Sequence, residues 1–259
     1  MKNLKVSVLI ANYNNQKYIN ECVRSLQNQT YKNIEIIFHD DFSSDNSLNN
    51  INKFKNIKII KNKKKNRVGS FNQIEAYKRA FKKSTGDIIF LLDSDDFFVK
   101  NKIKKVVEFF LNNKKLISIF DLPILKYEKN LILKKNKKKI IKNFWPYIPP
   151  QSCISIRRKN FIKIINNINY KLFPDIWMDF RIAMYLIHVS KNFFILEQNL
   201  TYYRQSANMI SSEFSFFSIS WLKRRMQAHN YVKYFFLKQK ITYQKNLDYF
   251  LTSFINIFI

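Results

Sequence analysis

Three aspartates lie within four residues at the end of an apolar run, in the stretch FLLDSDDFF at residues 90–98. Carboxylate oxygens are the ligands that Mg²⁺ and Mn²⁺ prefer, and such ions complete their shell with water and substrate phosphates. Because alternate side chains of an extended backbone share one side, Asp93 and Asp95 can face one ligand while Ser94 points away. The spacing predicts a divalent metal site at Asp95 and Asp93, with Asp96 as a further candidate ligand. A solvated turn that caps the next helix is the alternative.

A second acidic group occupies the stretch HDDFSSD at residues 39–45. Aspartates and serines in such a stretch can form a turn by binding their own backbone. In the functional alternative, one carboxylate accepts a hydrogen bond from a pyrimidine N–H or a ribose hydroxyl. Beside a metal and phosphate site, this predicts a nucleoside diphosphate ligand, whose leaving charge the divalent ion would neutralise.

Both acidic groups follow short apolar runs that are typical of buried parallel strands. The runs lie at residues 4–11, 34–38, 57–60 and 87–92. Stretches with helical spacing separate them, at residues 17–28, 43–54 and 70–83. This alternation predicts a parallel sheet with right-handed crossovers, whose ligands bind beyond the carboxyl ends of the strands. We therefore expect the polar groups at 11–14, 39–45 and 93–96 to meet in one crevice.

Local signals refine this picture. Ser43 or Ser44 can cap the helix at 43–54, and Gly86 lies where a helix C-terminus favours a left-handed residue. After residue 100 the pattern is looser. It predicts a helix at 101–113, a hairpin region at 116–143, a helix at 175–190, and helical structure at 214–257 with a break near 239–243.

The chain carries 46 Lys and Arg against 18 Asp and Glu, a formal net charge of +28. This excess favours an anionic partner: nucleic acid, anionic lipid or a phosphorylated substrate. Only two glycines are present, which excludes a glycine-rich phosphate loop, and two cysteines exclude a disulfide framework or zinc quartet. No secretory signal and no apolar run of about 20 residues is visible. We expect a cytoplasmic protein, with peripheral contact to the cytoplasmic face of the inner membrane as an option.

Two segments near the C-terminus bear on that contact. Residues 220–240, SWLKRRMQAHNYVKYFFLKQK, mix basic and aromatic side chains and could lie at a membrane interface or pack on the rest of the protein. Residues 250–259, FLTSFINIFI, are uncharged and apolar. They could form a docking helix or be the cut edge of a longer chain.

Residues 4–110 resemble the GT-A glycosyltransferases of family 2. The stretch VSVLIANYNNQKYINECVRSLQNQTYKNIEIIFHDDFSSDNS is similar to the family's N-terminal signature, and GSFNQIEAYKRAFKKSTGDIIFLLDSDDFF to its DxD segment. PDIWMDFRIAMYL resembles the family's acidic motif ahead of an amphipathic helix, and LTYYRQSANMISS a segment that usually ends in Arg-Gln-His. The resemblance implies an α/β GT-A fold, Rossmann-like, with a mostly parallel central sheet flanked by helices and a helical C-terminal extension.

The resemblance also implies an organisation and an activity. Residues 1–112 would form the nucleotide-sugar-binding half of the GT-A domain, 113–212 its acceptor-binding half, and 213–259 the extension. The protein would be a glycosyltransferase that uses Mn²⁺ or Mg²⁺ and inverts the transferred sugar, with a UDP-sugar as the favoured donor. The acceptor would be a glycan or a lipid-linked hydroxyl in bacterial surface polysaccharide or lipooligosaccharide synthesis. The alternative is a basic nucleic-acid- or membrane-binding protein on an inactive GT-A scaffold. Nucleic acid is not expected, because no nucleic-acid-binding signature appears.

Carried over position by position, the resemblance assigns roles in nucleotide binding. Tyr13 and the backbone near Ala11 would contact the base. Asp41 would bind the base with support from Asp40, and Arg67 would also reach the nucleotide.

Further assignments concern the sugar and the reaction. Asp93 would lie near the ribose or donor sugar, with Ser94 in the same donor-binding group, and Asp95 would bind the metal. Asp175 would be the general base that deprotonates the acceptor hydroxyl. Pro174 replaces the acidic residue that the family usually has before this position, so Asp179, one helical turn further on, is the rival base.

Overall fold

The computed structural model describes residues 3–63, 69–127, 130–133, 148–205 and 214–259. The strands are β1 Val6–Asn12, β2 Ile34–Asp40, β3 Ile57–Lys61, β4 Ile88–Asp93, β5 Phe97–Phe98, β6 Ser118–Lys126, β7 Leu131–Leu133, β8 Ile154–Arg157 and β9 Phe193–Arg204. The helices are α1 Ile19–Gln27, α2 Ser47–Ile51, α3 Gly69–Lys82, α4 Lys102–Asn112, α5 Arg158–Asn167, α6 Met178–Tyr185, α7 Ile219–Lys238 and α8 Leu247–Asn256. A 3-10 turn at Gln151–Cys153 precedes β8, and a π-helical turn at Leu186–Ser190 continues α6.

Within the described residues the strands form one mixed sheet in the order β3-β2-β1-β4-β8-β6-β9-β5, with β7 paired to β6. The first four strands of that order are parallel, which confirms the predicted parallel arrangement. β8 is antiparallel to both β4 and β6, and β6 runs parallel to β9. β1 therefore lies between β2 and β4, and the strand ends with the polar groups share one edge.

Helices cover both faces of this sheet, as the alternation of side chains along β1 illustrates. Val8 and Ile10 point into a cluster with residues of α1 and α4, whereas Leu9 points into a second cluster with residues of α3, α5 and α6. Burial on both faces explains why the first strands read as continuous apolar runs. The α/β architecture expected from the sequence is confirmed.

Three local expectations need comment. α2 spans only Ser47–Ile51 and has no side-chain cap, so the prediction that Ser43 or Ser44 caps a longer helix is wrong. Gly86 does not adopt a positive φ. It is needed because an added Cβ would lie 2.6 Å from the Ser7 backbone nitrogen on β1. The predicted hairpin is seen as β6 and β7, and its remainder from residue 134 lies outside the described residues.

The C-terminal region is helical, with the break where the sequence predicts it. α7 packs on α6 through Tyr231, Val232 and Phe235, which contact a cluster containing Phe180 and Met184. For residues 220–240, the alternative of packing on the rest of the protein is confirmed. No helix in the described ranges combines the length and apolar composition that crossing a bilayer requires.

Glu35 on β2 joins several elements at the amino ends of the strands. Its carboxylate accepts hydrogen bonds from Ser7 Oγ at 2.6 Å and from the backbone nitrogen of Gly86 at 3.1 Å. Lys58 and Lys5 approach the second oxygen at 2.9 and 3.2 Å. Burial alone would raise the pKa of Glu35, but these hydrogen bonds and charges outweigh burial and lower the pKa.

We expect Glu35→Gln to lower the free energy of unfolding at pH 7 by about 1–2 kcal/mol, because charge-assisted hydrogen bonds are lost. A depressed pKa means that the stabilisation is present above the ordinary value of 4.5 and is lost as pH falls below it. Urea unfolding at several pH values should show the two proteins converging in acid.

The matched control is Glu108→Gln, which removes an exposed charge paired with Lys104 at 3.9 Å. It should leave stability nearly unchanged at every pH. A constant difference between Glu35→Gln and the wild type down to about pH 3 would contradict the assigned pKa shift.

Candidate active site

The polar turns after β1 and β2 are joined by hydrogen bonds. Asn12 Nδ2 donates to Asp40 Oδ1 at 2.8 Å, and the Asn14 backbone nitrogen donates to Ser43 Oγ at 3.0 Å. The Asp41 backbone nitrogen donates to the carbonyl of Asn12 at 2.8 Å. The side chain of Asp40 is buried and also bonds Ser43, so Asp40 shapes the turn that carries Asp41.

The turn after β1 is also joined to the acidic turn after β4. Asn15 Nδ2 donates to Ser94 Oγ at 2.9 Å, and the Ser94 backbone nitrogen donates to the carbonyl of Ala11 at 3.1 Å. Ser94 is fully buried, so its role in the structure is to hold this turn in place. The prediction that the three polar groups meet at one edge of the sheet is confirmed.

Asp93 is held at the sheet edge by donors from three directions. Its Oδ1 accepts hydrogen bonds from Gln73 at 2.8 Å, Tyr77 at 2.9 Å and Gln151 at 3.1 Å. Burial and the charge of Asp95 raise the pKa of Asp93. These neighbours fix one oxygen of the carboxylate, and no other described residue donates a hydrogen bond to Oδ2.

Asp96 has a structural position. Its Oδ2 accepts a hydrogen bond from Ser152 Oγ at 2.5 Å, and its Oδ1 accepts one from the backbone nitrogen of Arg204 at 2.8 Å. Burial and repulsion from Asp95 and Asp93 raise its pKa well above the ordinary value. Both oxygens are therefore engaged within the protein, which weakens the expectation that Asp96 is a metal ligand.

Arg204, at the end of β9, is a site residue to which sequence reasoning assigned no role. Its Nε donates to the carbonyl of Asp95 at 2.8 Å, and its guanidinium pairs with Glu21 and lies 4.2 Å from the ring centroid of Tyr18. Burial raises the pKa of Asp95 above its ordinary value, and the charge of Arg204 offsets only part of that rise. The sequence signal for Arg204 was its place in the stretch LTYYRQ, which begins a segment that resembles one usually ending in Arg-Gln-His.

The acidic turn suits a divalent cation that is shared with a ligand. Among the described residues, the Asp95 carboxylate accepts no hydrogen bond from another residue, and Asp93 keeps one oxygen available. The described part of the chain contains no group of three or more His, Cys, Asp or Glu able to hold a metal by themselves. Two hard oxygen ligands fit Mg²⁺ or Mn²⁺ when phosphates and water supply the rest.

Asp41 and Tyr13 lie on the β1 and β2 side of the site. Asp41 is buried, accepts a hydrogen bond from Asn62 Nδ2 at 2.8 Å, and has a pKa raised by burial. Tyr13 is 40% exposed and lines a cavity of about 430 Å³ formed with residues 14–18 and Asp45. Another cavity, of about 450 Å³, lies at residues 112–116 and 192, away from the predicted site residues. Arg67 lies outside the described residues.

The two candidate bases have different surroundings. Asp175 is bound to α7: Gln227 Nε2 donates to its Oδ2 at 3.0 Å, and Arg224 Nε donates to its carbonyl at 2.9 Å. Asp179 lies in the first turn of α6, and its charge contributes to raising the pKa of Asp93. Burial raises the pKa of Asp179 itself to about 6. Asp179 thus interacts electrostatically with the acidic turn.

Tyr203 supports this placement. Burial is the largest cause of the raised pKa of Tyr203, and repulsion from Asp96, Asp179, Asp93 and Asp95 raises this pKa further. A single tyrosine on β9 therefore lies within electrostatic reach of both the acidic turn and Asp179.

The family model described as glycosyl transferase family 2 matches residues 7–175, which include both acidic turns. The chain belongs to glycosyl transferase family 2. The match ends just before α6.

Named relatives agree with this family, and a solved structure has a similar fold. An uncharacterized glycosyltransferase of Nostoc sp. is 29% identical over 220 residues, which cover 78% of this chain and 65% of the relative. The UDP-Glc:alpha-D-GlcNAc-diphosphoundecaprenol beta-1,3-glucosyltransferase WfaP of Escherichia coli is 41% identical over 116 residues, 44% of each chain. The chain thus spans less than two thirds of the length of either relative. S. aureus TarS in complex with UDP-GlcNAc has a similar fold, with a TM-score of 0.66, 17% identity, and coverage of 90% of this chain and 67% of that one.

A buried ion pair is linked to the acidic turn of this chain through Ser152. Lys102 Nζ is 2.7 Å from Asp121 Oδ1, and both side chains are almost fully buried. The ammonium also donates to the Ser152 carbonyl at 2.7 Å and to Thr201 Oγ1 at 2.5 Å. Ser152 Oγ in turn accepts from the Asp93 backbone nitrogen at 3.1 Å and donates to Asp96. The network connects α4, β6 and β9 to the turn that carries the carboxylates.

We expect Lys102→Met to lower the free energy of unfolding by about 3–5 kcal/mol, because Asp121 would stay buried without its cation. Urea unfolding measures the change. The double variant Lys102→Met, Asp121→Asn should recover part of the loss, since no unpaired buried charge remains.

Lys104→Met is the matched control, because Lys104 lies on the same helix and is 57% exposed. It should change stability by less than about 0.5 kcal/mol. Equal losses in Lys102→Met and Lys104→Met would show that the buried pair does not stabilise the protein.

Proposed function

We propose that this chain transfers a sugar, with inversion, from a nucleoside-diphosphate donor to the hydroxyl of a lipid-linked or other glycan acceptor. One observation carries the proposal: the turn after β1 bonds both the Asp40–Asp41 turn and the Asp93–Asp96 turn. A base-binding carboxylate and a metal-binding carboxylate then border the same crevice, as a nucleoside diphosphate requires. Membership of glycosyl transferase family 2 supports this reading.

The donor would lie along this edge of the sheet. Asp41 would accept a hydrogen bond from the base, and Tyr13 would contact the base from the cavity mouth. A UDP-sugar is the donor we propose, because WfaP is named for UDP-Glc and TarS was solved with UDP-GlcNAc. Arg67 would add a positive charge near the nucleotide.

The diphosphate needs a counter-charge in this acidic environment. Asp95, with the available oxygen of Asp93, would hold Mn²⁺ or Mg²⁺ between the protein and the phosphates. A divalent ion there would stabilise the negative charge of the departing diphosphate. Arg204 would keep Asp95 oriented through its bond to the Asp95 carbonyl.

The reaction is a single displacement at the anomeric carbon. The acceptor oxygen forms a bond to that carbon as the bond from carbon to the phosphate oxygen breaks, and the nucleoside diphosphate leaves. The acceptor proton passes to a carboxylate, for which we propose Asp179 in place of Asp175. Asp179 interacts with Asp93 and has a raised pKa, and a carboxylate of higher pKa is the better base near neutral pH.

For the acceptor we propose a lipid-linked diphosphate sugar at the cytoplasmic face of the bacterial inner membrane. WfaP and a second Escherichia coli relative, WfgD, are both named for GlcNAc-diphosphoundecaprenol acceptors. The formal charge of +28 would attract the chain to anionic lipid and to acceptor phosphates alike.

Donor binding is tested by thermal unfolding with UDP, GDP or dTDP, each with and without Mn²⁺. We expect UDP with Mn²⁺ to stabilise the protein by about 2.7 kcal/mol at one hundred times the dissociation constant. Asp95→Asn should lose the Mn²⁺-dependent part of that stabilisation.

Asp87→Asn is the control, since Asp87 is an exposed aspartate just before the amino end of the strand that carries the site. It should respond to UDP and Mn²⁺ as the wild type does. No response to any nucleotide, together with salt-sensitive binding of random oligonucleotides, would support the nucleic-acid alternative.

The base is tested by comparing Asp179→Asn with Asp175→Asn. Asp179→Asn should reduce the rate of transfer by about 10²–10⁴-fold while UDP binding stays intact, because only proton removal is lost. Asp175→Asn can keep its hydrogen bond to Gln227 and should stay within about tenfold of the wild type. The reverse ranking of the two variants would return the base to Asp175.

A further inference from the structure

α8 is an amphipathic helix whose apolar face points away from the protein, whereas an ordinary surface helix points that face towards the core. Its polar residues Asp248, Thr252 and Asn256 face α7, whereas its large apolar residues face outwards. The outward residues are between 54% and 75% exposed: Leu247, Phe250, Leu251, Phe254, Ile257 and Phe258. We call these six residues the apolar face of α8. A face of this size usually marks a binding surface.

Polar contacts fix the rotation of α8, so the outward face is a property of the fold. Asp248 accepts hydrogen bonds from Arg225 at 2.7 Å and interacts with His229 Nε2 at 3.0 Å. Asn256 Nδ2 donates to the Leu222 carbonyl at 3.3 Å. Turning the apolar side inwards would break these contacts, and His229 is fully buried.

The charge around the apolar face identifies its partner. Residues 214–259 contain seven Lys or Arg and a single acidic residue, Asp248, which faces inwards. Lys240 and Lys245 are exposed just before α8, and Lys245 Nζ lies 4.9 Å from the ring centroid of Tyr249. Apolar side chains bordered by lysines suit a surface with an apolar interior and an anionic boundary.

We infer that the apolar face of α8 docks on an anionic lipid membrane, with its six side chains entering the boundary between headgroups and acyl chains. The inference rests on the proposed function, in which the acceptor is lipid-linked. α7 joins the two regions, because it binds α8 through Arg225 and His229 and binds Asp175 through Gln227. Docking through α8 would hold the acceptor side of the site near the membrane.

The inference is tested by flotation of the protein with vesicles of phosphatidylcholine alone or with about 30% phosphatidylglycerol, without donor or acceptor. We expect binding to the anionic vesicles that weakens at about 0.5 M NaCl. The variant Phe250→Ser, Phe254→Ser, Phe258→Ser should bind at least about tenfold less well.

The matched control replaces three exposed apolar residues on β7, Leu131→Ser, Ile132→Ser and Leu133→Ser, and should bind vesicles as the wild type does. Equal loss in both triple variants, or no binding by the wild type, would overturn the inference. A dimer in light scattering that α8 substitution abolishes, without vesicle binding, would assign the face to a second copy and also overturn it. The nucleotide response in thermal unfolding is measured separately, so failure of docking and failure of the proposed function are distinguishable.

Discussion

The site depends on hydrogen bonds from one short turn, the polar segment that follows β1. β1 lies between β2 and β4 in the sheet, so its turn is the only one of the three that touches both neighbours. Asn12 binds Asp40 on one side and Asn15 binds Ser94 on the other. The side-chain amides of Asn12 and Asn15 carry no charge, but they supply hydrogen bonds to buried polar groups. Leaving those groups unpaired would lower the stability of the fold. Two acidic turns that are distant in the chain are thereby kept at one edge of the sheet.

Gathering carboxylates at a partly buried edge is electrostatically unfavourable, and the surrounding structure compensates only in part. Asp93 and Asp96 are surrounded by donors, yet burial and mutual repulsion still raise their pKa values. Arg204 of β9 donates a hydrogen bond to the Asp95 carbonyl. The Lys102–Asp121 pair stabilises the turn through Ser152. The remaining repulsion favours the approach of a cation, which the proposed divalent ion would supply.

The second half of the chain supplies groups that the first half lacks. β8, β6 and β9 extend the sheet with both parallel and antiparallel pairings. Tyr203 and Arg204 of β9 and Ser152 of the turn before β8 lie beside the acidic turn. α6 adds Asp179, and α7 holds the segment before it through Gln227. α7 also binds α8 through Arg225 and His229. One helix therefore contacts both the segment before α6 and the helix with the outward apolar face.

The sequence by itself determined the parallel half of the sheet and the meeting of its polar strand ends at one edge. These follow from short-range periodicity and from a rule on strand ends, which hold before any packing is known. The sequence did not reveal that Ser94 and Asp96 are buried supports, or that Arg204 and Lys102 stabilise the turn. Nor could it show which side of α8 faces out. Each of these depends on contacts between residues far apart in the chain, and only the tertiary structure decides such contacts.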